Sequence, residues 1–334
     1  MNPFRISFPQ ETRAVLSELA VVPAEESVAL MAGGQDLLGL VKDGVLRPDA
    51  IVSLRMARQL DRLNVNLDAR PSTIGSIVTL AQIASDPGIR QAHPMVAEAA
   101  ASVGTPQIRN QATVGGNLCQ RPRCWYFRNP EAVCLKKGGT ECFAYGGQSK
   151  YNAILGGGPS YIVHPSDLAP ALVAADATVF IAANDGRRSA NRRVPIGEFY
   201  TLPSEGDVTK EHVVGREEAV MSVLLPGRPD WRSTYLKVRE RTSFDFALAA
   251  VACALRIEDG VVAEARLVLG GVAPKPWRCE SAEELLVGKP IDESTIRAVR
   301  DEALREARPL EHNGYKVPLS KGLITKALRK LATS

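Results

Sequence analysis

Four of the six cysteines of this chain lie in one short basic segment, which reads TVGGNLCQRPRCWYFRNPEAVCLKKGGTEC from residue 113 to residue 142. They are Cys119, Cys124, Cys134 and Cys142, separated by four, nine and seven residues. Thiolates bind metals, and pairs of thiols form disulfides. Structural zinc sites favour two closely spaced cysteine pairs, which this segment lacks. Zinc, disulfides and an iron–sulfur cluster therefore remain alternatives on the spacing alone.

Two glycine pairs have the sequence context of phosphate-binding turns. Gly33 and Gly34 in AGGQDL follow a short apolar stretch and precede a helical pattern, and Gly115 and Gly116 lie in TVGGN. Backbone amides that no side chain blocks can hold a phosphate at such a turn. One pair alone is explained equally well as a tight strand-to-helix turn, and the G-x-G-x-x-G spacing of a Rossmann fingerprint is missing. Two pairs on different elements predict a pyrophosphate held from both sides, and hence a dinucleotide.

A third polar position is the stretch HPSDLAPAL, where Ser166 and Asp167 precede a helical pattern. They are either helix caps or ligands of a ribose hydroxyl, and capping is the simpler interpretation.

The whole chain limits the classes of protein that these residues can belong to. Its 334 residues predict two or three packed subdomains. No apolar run reaches the length of about 18 residues that a membrane span needs, and the N-terminus MNPFRISFPQETR has no apolar signal region. We therefore expect a cytoplasmic protein, with a periplasmic location only if a partner subunit carries the export signal. The net charge is +4, but acidic residues are interspersed with the basic ones, which argues against nucleic-acid binding.

The elements that must position these residues follow an α/β pattern. SVALMAGGQDLLGLVKDG and DAIVSL predict a strand, a turn, a helix and a second strand. From about residue 56 to 225, short strands alternate with helical pieces and glycine-rich loops, and LLPGRPD resembles a linker. Beyond it, the sequence predicts a hairpin around Glu258, Asp259 and Gly260, followed by helices near 282–288, 292–306 and 319–332. This tail is predicted to be a separate α+β domain.

Five stretches, AGGQDLL, QIRNQATVGGNL, HPSDLAPAL, YLKVRERTSFDFALAAVA and LGGVAPKPWR, closely resemble the flavin-binding subunit of molybdenum hydroxylases, the xanthine dehydrogenase and aldehyde oxidoreductase family. The resemblance extends over nearly the whole chain. It implies an α+β protein with an FAD-binding fold of two α/β subdomains, of the vanillyl-alcohol-oxidase type, and a C-terminal α+β domain like that of CO dehydrogenase flavoproteins. We assign the subdomains to residues 1–55 and 56–226, with a cysteine loop at about 118–158, and the C-terminal domain to 227–334.

The resemblance also implies which residues hold FAD non-covalently. Opposite sides of the pyrophosphate are assigned to backbone amides of Ala32, Gly33, Gly34, Gln35, Asp36 and Leu37 and to Thr113, Gly115, Gly116 and Asn117. Asp167 matches a polar contact to FAD, and Val103 and Gly104 match residues that line the flavin, although relatives place an aromatic residue near Val103. Lys237 matches a lysine that approaches the ring, where a cation favours the anionic reduced flavin. The alternative is a surface lysine.

One branch of the family, which includes periplasmic aldehyde oxidoreductases and hydroxybenzoyl-CoA reductases, inserts a loop after GGN that carries a 4Fe-4S cluster. The resemblance implies Cys119, Cys124, Cys134 and Cys142 as its ligands. The resemblance implies that some relatives take the fourth ligand from the position of Ser160, and Cys119 is assigned that role here. The basic residues between the cysteines are expected to offset the negative charge of the cluster; they are Arg121, Arg123, Arg128, Lys136 and Lys137. Because the loop is an insertion, we expect loss of its ligands to spare FAD. Cys253 and Cys279 are expected to be packing or surface residues.

With FAD and a cluster but no visible molybdenum site, the sequence predicts an electron-transfer subunit. The resemblance implies a large molybdenum-cofactor subunit and a small subunit with two 2Fe-2S clusters as partners, in a heterotrimer or its multimer. NAD, oxygen, ferredoxin and quinone-linked carriers all remain candidate acceptors. The alternatives are a free-standing FAD oxidase and a zinc-stabilised scaffold subunit.

Overall fold

The computed structural model describes residues 2–184 and 189–333. In these ranges the strands form sheets of three, five and four strands. Each sheet draws its strands from one of the three predicted segments, and helices pack against all of them. The predicted α+β class is confirmed, whereas the exact domain boundaries stay a prediction.

The N-terminal unit is a parallel sheet with the strand order β1-β3-β2. The apolar stretch AIVS forms the central strand and VALM an edge strand, and the helix between them in the chain begins after the first glycine pair, as the sequence predicts. The elements are β1 (Arg5–Ser7), α1 (Thr12–Val21), β2 (Val28–Met31), α2 (Leu37–Lys42) and β3 (Ala50–Ser53).

The second unit is an antiparallel sheet with the strand order β4-β5-β8-β6-β7, covered by short helices. Three of these helices begin with proline, whose missing N–H is harmless in a first helical turn. The strands are β4 (Leu63–Asn64), β5 (Ser72–Gly75), β6 (Thr178–Asn184), β7 (Ser189–Pro195) and β8 (Glu218–Leu225). The helices are α3 (Leu80–Ser85), α4 (Pro87–Ala92), α5 (Pro94–Ala101), α6 (Pro106–Gln111), α7 (Val114–Leu118), α8 (Trp125–Arg128), α9 (Leu168–Ala174) and α10 (Ile196–Phe199).

The C-terminal unit is an antiparallel sheet with the strand order β12-β11-β10-β9 and three helices. Its central hairpin turns at Asp259 and Gly260, which both have positive φ angles (+49° and +79°), as a type I′ turn requires. The elements are β9 (Trp231–Val238), β10 (Ala249–Glu258), β11 (Val261–Gly270), β12 (Trp277–Arg278), α11 (Glu280–Leu286), α12 (Glu293–Ala303) and α13 (Lys316–Ala332).

Strand β10 joins two hydrophobic cores because it is buried on both faces. Ala250 and Ala252 face the core of the second unit, whereas Val251 and Cys253 face the core beneath α11, α12 and α13. Cys253 is therefore a packing residue, and so is the buried Cys279. No helix of the described ranges is long and apolar enough to cross a lipid bilayer.

Candidate functional site

The two predicted glycine turns line one cleft of about 570 Å³, a volume in the range of small-molecule sites. One wall is the turn between β2 and α2, and all six of its predicted residues are present. The facing wall holds Thr113, Gly116 and Asn117 at α7. Val103, Gly104 and Asp167 also line the cleft. The structure thus brings together most of the residues assigned to FAD.

The glycines of the two turns are needed for different reasons. A Cβ on Gly33 would lie 1.7 Å from the carbonyl oxygen of Gln111, so this glycine lets the first turn pack against the end of α6. Gly34 has a φ of +73°, which L side chains rarely adopt. A Cβ on Gly116 would meet only Thr113 Oγ1, at 3.0 Å, so Gly116 keeps the cleft itself open.

A smaller cavity of about 260 Å³ adjoins the cleft and shares Leu30, Ala32, Gly116 and Cys119 with it. Gly115 lines this cavity, although it was predicted to face the pyrophosphate with Gly116. Two other lining atoms, Ser76 Oγ and His212 Nδ1, are buried without a hydrogen-bond partner among the described residues. Unpaired buried polar atoms are costly, so both atoms are suited to hydrogen-bonding a ligand in the cavity.

Asp167 and Lys237 form a buried ion pair, with 2.7 Å between Oδ2 and Nζ. Tyr235 donates its hydroxyl to the other carboxylate oxygen at 2.7 Å. The Lys237 ammonium also donates to the carbonyl oxygens of Asp245 and Ser102, at 3.0 and 3.3 Å, so its three protons all have acceptors. Among the described residues that line the cleft, Asp167 is present and Lys237 is not. Lys237 is therefore a buried residue rather than a surface lysine, and its approach to the flavin ring stays a prediction.

Ser166 is a helix cap, as the simpler interpretation of its position predicts. Its hydroxyl accepts the amide of Ala169 at 2.9 Å near the start of α9. The same hydroxyl donates to Asn117 Oδ1 at 2.5 Å and so fixes the Asn117 amide on the cleft wall.

The loop after β9 forms a wall of the cleft that sequence reasoning missed. Arg241, Phe244, Asp245 and Phe246 all line the cleft. The amide of Phe244 donates to the Gly104 carbonyl at 3.3 Å, and Phe244 has a φ of +56°. The aromatic groups that Val103 does not supply are therefore brought in by this loop. The stretch RTSFDF carries no local signal for such a conformation, because it depends on a contact with a distant segment.

Three of the four clustered cysteines lie in one region. Cys134 forms a small buried cluster with Leu40 and Phe127, and Cys124 packs against it. Burial raises the pKa of Cys124, and Cys142 lies close enough to contribute to the rise. Asn152 Nδ2 donates to the sulfur of Cys124 at 3.7 Å, and the Tyr161 amide donates to the sulfur of Cys142 at 3.5 Å.

Cys119 lies apart, on the wall that the cleft shares with the smaller cavity. Burial, followed by the charge of Glu211, raises the pKa of its thiol to about 12. None of the six cysteines forms a disulfide. Among the described residues, no three or more Cys, His, Asp or Glu side chains are placed to hold a metal ion. The four-cysteine site stays a prediction.

Four of the five basic side chains of the cysteine loop form ion pairs with two carboxylates. Arg123 and Arg128 bind Asp36 of the first glycine turn, with N–O distances of 2.9 and 2.6 Å. The buried Glu211 pairs with Arg121 at 2.8 Å and with Lys136 at 3.0 Å. The fifth, Lys137, donates to the Asn129 carbonyl. Four of the five cations therefore have carboxylate partners, and one of these partners, Asp36, lies on the wall of the cleft. The expectation that the cations offset the charge of a cluster stays a prediction.

Burial lowers the pKa of Arg123 to about 10, and the neighbouring Asp36 opposes this shift. The guanidinium is therefore charged at neutral pH.

The chain resembles known proteins in sequence. Residues 2–226 match the family described as the FAD binding domain in molybdopterin dehydrogenase, and residues 234–331 match the CO dehydrogenase flavoprotein C-terminal domain. The chain is 32% identical to the aldehyde oxidoreductase FAD-binding subunit PaoB of Escherichia coli, over 97% of this chain and 96% of that protein. It is 24% identical to the carbon monoxide dehydrogenase medium chain of Hydrogenophaga pseudoflava, over 90% of this chain and 87% of that one.

The fold has the same relatives. A chain of the H. pseudoflava carbon monoxide dehydrogenase that lacks the Mo-pyranopterin moiety superimposes with a TM-score of 0.78 at 21% identity, covering 100% of this chain and 99% of that one. A chain of quinoline 2-oxidoreductase from Pseudomonas putida gives a TM-score of 0.75 at 22% identity, covering 99% and 98%. With two family domains in order along the chain and a relative above 30% identity, the chain belongs to the family of FAD-binding subunits of molybdenum hydroxylases.

Proposed function

We propose that this subunit transfers electrons within a molybdenum-containing hydroxylase or aldehyde oxidoreductase complex, from the iron–sulfur clusters of a partner through FAD to an external acceptor. Bound FAD supplies the coupling between two-electron and one-electron steps. The observation that carries the proposal is the cleft in which two glycine turns face each other, beside a second cavity with unpaired polar atoms. Such a pair of connected spaces suits an extended dinucleotide better than a small substrate.

The residues of the cleft suggest how the dinucleotide lies. Gly116 lines both the cleft and the smaller cavity, and its lack of a side chain keeps this shared wall open, so we assign the pyrophosphate to it, between the two glycine turns. The larger cleft, with Phe244, Phe246 and Asp167, is assigned to the isoalloxazine. The smaller cavity is assigned to the adenosine, where Ser76 and His212 offer unpaired hydrogen-bonding atoms. Lys237 and Tyr235 hold Asp167 in place and neutralise part of its charge.

We assign as partners a large molybdenum-cofactor subunit and a small subunit with two 2Fe-2S clusters, in a heterotrimer or its multimer. Relatives named as an aldehyde oxidoreductase subunit and as a carbon monoxide dehydrogenase medium chain support this assembly. A cytoplasmic location remains our expectation, unless a partner exports the complex.

We further propose a 4Fe-4S cluster in the cysteine loop, with Cys124, Cys134 and Cys142 as ligands and Cys119 as the fourth. The first three share one region, and N–H groups near sulfur are the type of contact that tunes such clusters. Cys119 is the least supported of the four proposed ligands, because the described residues around it belong to the cleft. The Tyr161 amide donates to the sulfur of Cys142, and Ser160 directly precedes Tyr161, which supports the Ser160 position as the alternative.

The absorption spectrum of the purified subunit, with FAD, iron and sulfide counts, tests the proposal. Flavin bands with a broad shoulder near ~400 nm and about four irons per chain are expected. Flavin bands alone support the subunit without its cluster or a free-standing oxidase, and the two differ in whether the isolated chain oxidises a substrate. A colourless protein that contains zinc contradicts both parts of the proposal and supports a scaffold.

A further inference from the structure

Asp36 connects the first glycine turn to the cysteine loop. Its side chain makes no cap to α2, although it occupies the N-cap position. Instead, Oδ2 accepts the backbone amide of Arg121 at 2.7 Å, and Oδ1 receives the guanidinium groups of Arg128 at 2.6 Å and Arg123 at 2.9 Å. A carboxylate that is 15% exposed and holds three donors from one segment fixes that segment against the turn.

The charges around this connection do not cancel. Arg121 and Lys136 pair with Glu211, as Arg123 and Arg128 pair with Asp36. Four cations thus face two carboxylates at this connection, and two of the four, Arg121 and Arg123, line the cleft together with Arg241 and the carboxylates Asp36, Asp167 and Asp245. A pyrophosphate is a dianion, and Arg121 and Arg123 are the cations of the cysteine loop that its charge would meet there.

Arg123 has the geometry of a ligand-binding residue. It lines the cleft together with Asp36, and its guanidinium lies 4.8 Å over the ring of Phe246, on a third segment of the cleft wall. Its Nε is buried and has no hydrogen-bond partner among the described residues. Asp36, the ring of Phe246 and Gln120, whose Oε1 accepts Arg123 Nη2 at 3.2 Å, hold the guanidinium in place on the cleft wall. An arginine that is already ordered loses little conformational freedom when it binds an acceptor.

We propose that Arg123 of the cysteine loop contacts the pyrophosphate of FAD and that Asp36 is the residue that positions it. This inference rests on the proposed binding of FAD in the cleft and adds that the cysteine loop is part of the flavin site. Its consequence is that the order of the cysteine loop and the affinity for FAD depend on each other.

The test is a titration of flavin-free protein with FAD and with ADP, followed by fluorescence or calorimetry. Arg123→Met should weaken both ligands about 10- to 100-fold, the usual effect of losing a hydrogen bond between charged groups. Arg123→Lys keeps the charge but lacks the planar fork, so its affinity for each ligand should lie between those of the wild type and Arg123→Met. Arg297→Met is the matched control, because it removes an exposed cation on α12, outside the cleft. Far-UV circular dichroism checks that each variant is folded.

A double-mutant cycle separates positioning from general damage. Asp36→Asn should weaken FAD in the wild-type background and have little further effect in Arg123→Met. Equal losses in both backgrounds would overturn the positioning role, and an unchanged affinity of folded Arg123→Met or Arg123→Lys would overturn the contact. If Arg123→Met does not fold, the contact is tested by Arg123→Lys and by the salt dependence of FAD binding to the wild type. A contact between charges must weaken as the salt concentration rises. A wild-type protein that binds no FAD would instead refute the proposed function.

Discussion

Gly116 is the residue at which a side chain would enter the cleft directly, and this makes it the sharpest single test of the cofactor site. Gly116→Val should abolish stoichiometric FAD, because the added methyl groups occupy space on the wall that cleft and cavity share. The flavin content of the purified variant, measured after denaturation, checks this. Retention of one FAD per chain would show that the pyrophosphate lies elsewhere.

Two control variants show whether a loss of FAD comes from filling the cleft or from disturbing the structure around Gly116. Gly206→Val adds the same groups at a position where a Cβ would meet no atom within 4 Å, and should leave FAD in place. Thr113→Val removes the hydroxyl that accepts the Gly116 amide but adds nothing to the cleft, at a cost of about 1 kcal/mol in stability. If this variant loses FAD as fully as Gly116→Val does, the Thr113 hydroxyl, through its cap or its assigned contact with the pyrophosphate, is needed for binding, and free space at Gly116 alone does not explain the loss.

Three buried histidines predict how the stability of the flavin-free protein depends on pH. Burial lowers the pKa of His93 and His212 to about 4 and that of His164 to about 3, from an ordinary value near 6.5. Between pH 6.5 and 4 the unfolded chain therefore binds more protons, so stability is retained above pH 6.5 and is lost on acidification through this window. The slope is at most about 4 kcal/mol per pH unit if all three contribute fully.

Urea unfolding of flavin-free protein at pH 7.5, 6.0 and 5.0 measures this slope. His212→Phe should reduce it by about one third, because one of three titrating groups is gone. An identical slope in the wild type and in His212→Phe would mean that His212 does not take up a proton on unfolding.

At the scale of elements, the proposed role of the cysteine loop as a cluster site depends on its thiols. Cys124→Ser, Cys134→Ser and Cys142→Ser should each lose most of the iron and sulfide, measured per chain with the electron paramagnetic resonance of the reduced protein. Because Arg123 and Arg128 tie this loop to Asp36, we now expect FAD to bind more weakly in these variants as well, and not to be spared. Cys253→Ser, in β10, is the control for replacing a buried thiol outside the loop. Full iron content in any of the three variants would remove that cysteine from the ligand set.

The fourth ligand is tested by a pair of substitutions. Cys119→Ser should lose the cluster if Cys119 is a ligand, whereas Ser160→Cys should make the cluster more resistant to loss of iron if the position next to Tyr161 is the ligand site. Iron content after exposure to a chelator measures both. Iron that survives Cys119→Ser unchanged would end the assignment of Cys119.

The elements themselves were largely predictable, and the reason lies in local patterns. The turn at Asp259 and Gly260 and the glycine turn before α2 are encoded by adjacent residues. The partners of the charged residues were not predictable, because Asp36 and Arg128 are separated by 92 positions and Asp167 and Lys237 by 70. Sequence reasoning therefore predicted the two glycine turns that line the cleft, but it did not predict that cations of the cysteine loop pair with Asp36 and Glu211 or that Lys237 pairs with Asp167.

At the scale of the whole molecule, the site is built from all three units. The contacts between these units therefore determine which parts of the chain can be removed without loss of the site. The cleft takes its walls from the N-terminal unit, from α6 and α7, and from the loop after β9 in the C-terminal unit. The buried Lys316 of α13 adds a further connection, since its ammonium donates to the carbonyl oxygens of Tyr151 at 3.0 Å and Gly271 at 2.7 Å. Neither family domain alone contains the complete cleft, so the intact chain is the unit to express.

The intact chain should nevertheless depend on partners for turnover. Expressed alone, it should bind FAD and fail to oxidise aldehydes or purines with an artificial electron acceptor. Co-expression with a molybdenum-cofactor subunit and a small subunit with two 2Fe-2S clusters should restore oxidation and co-purify the three chains. A permanent contact of this kind should bury on the order of 2,000 Å² or more. Omitting only the small subunit is the decisive control, because electrons then lack their route to the flavin. Substantial substrate oxidation by the isolated chain, free of molybdenum, would favour the free-standing oxidase.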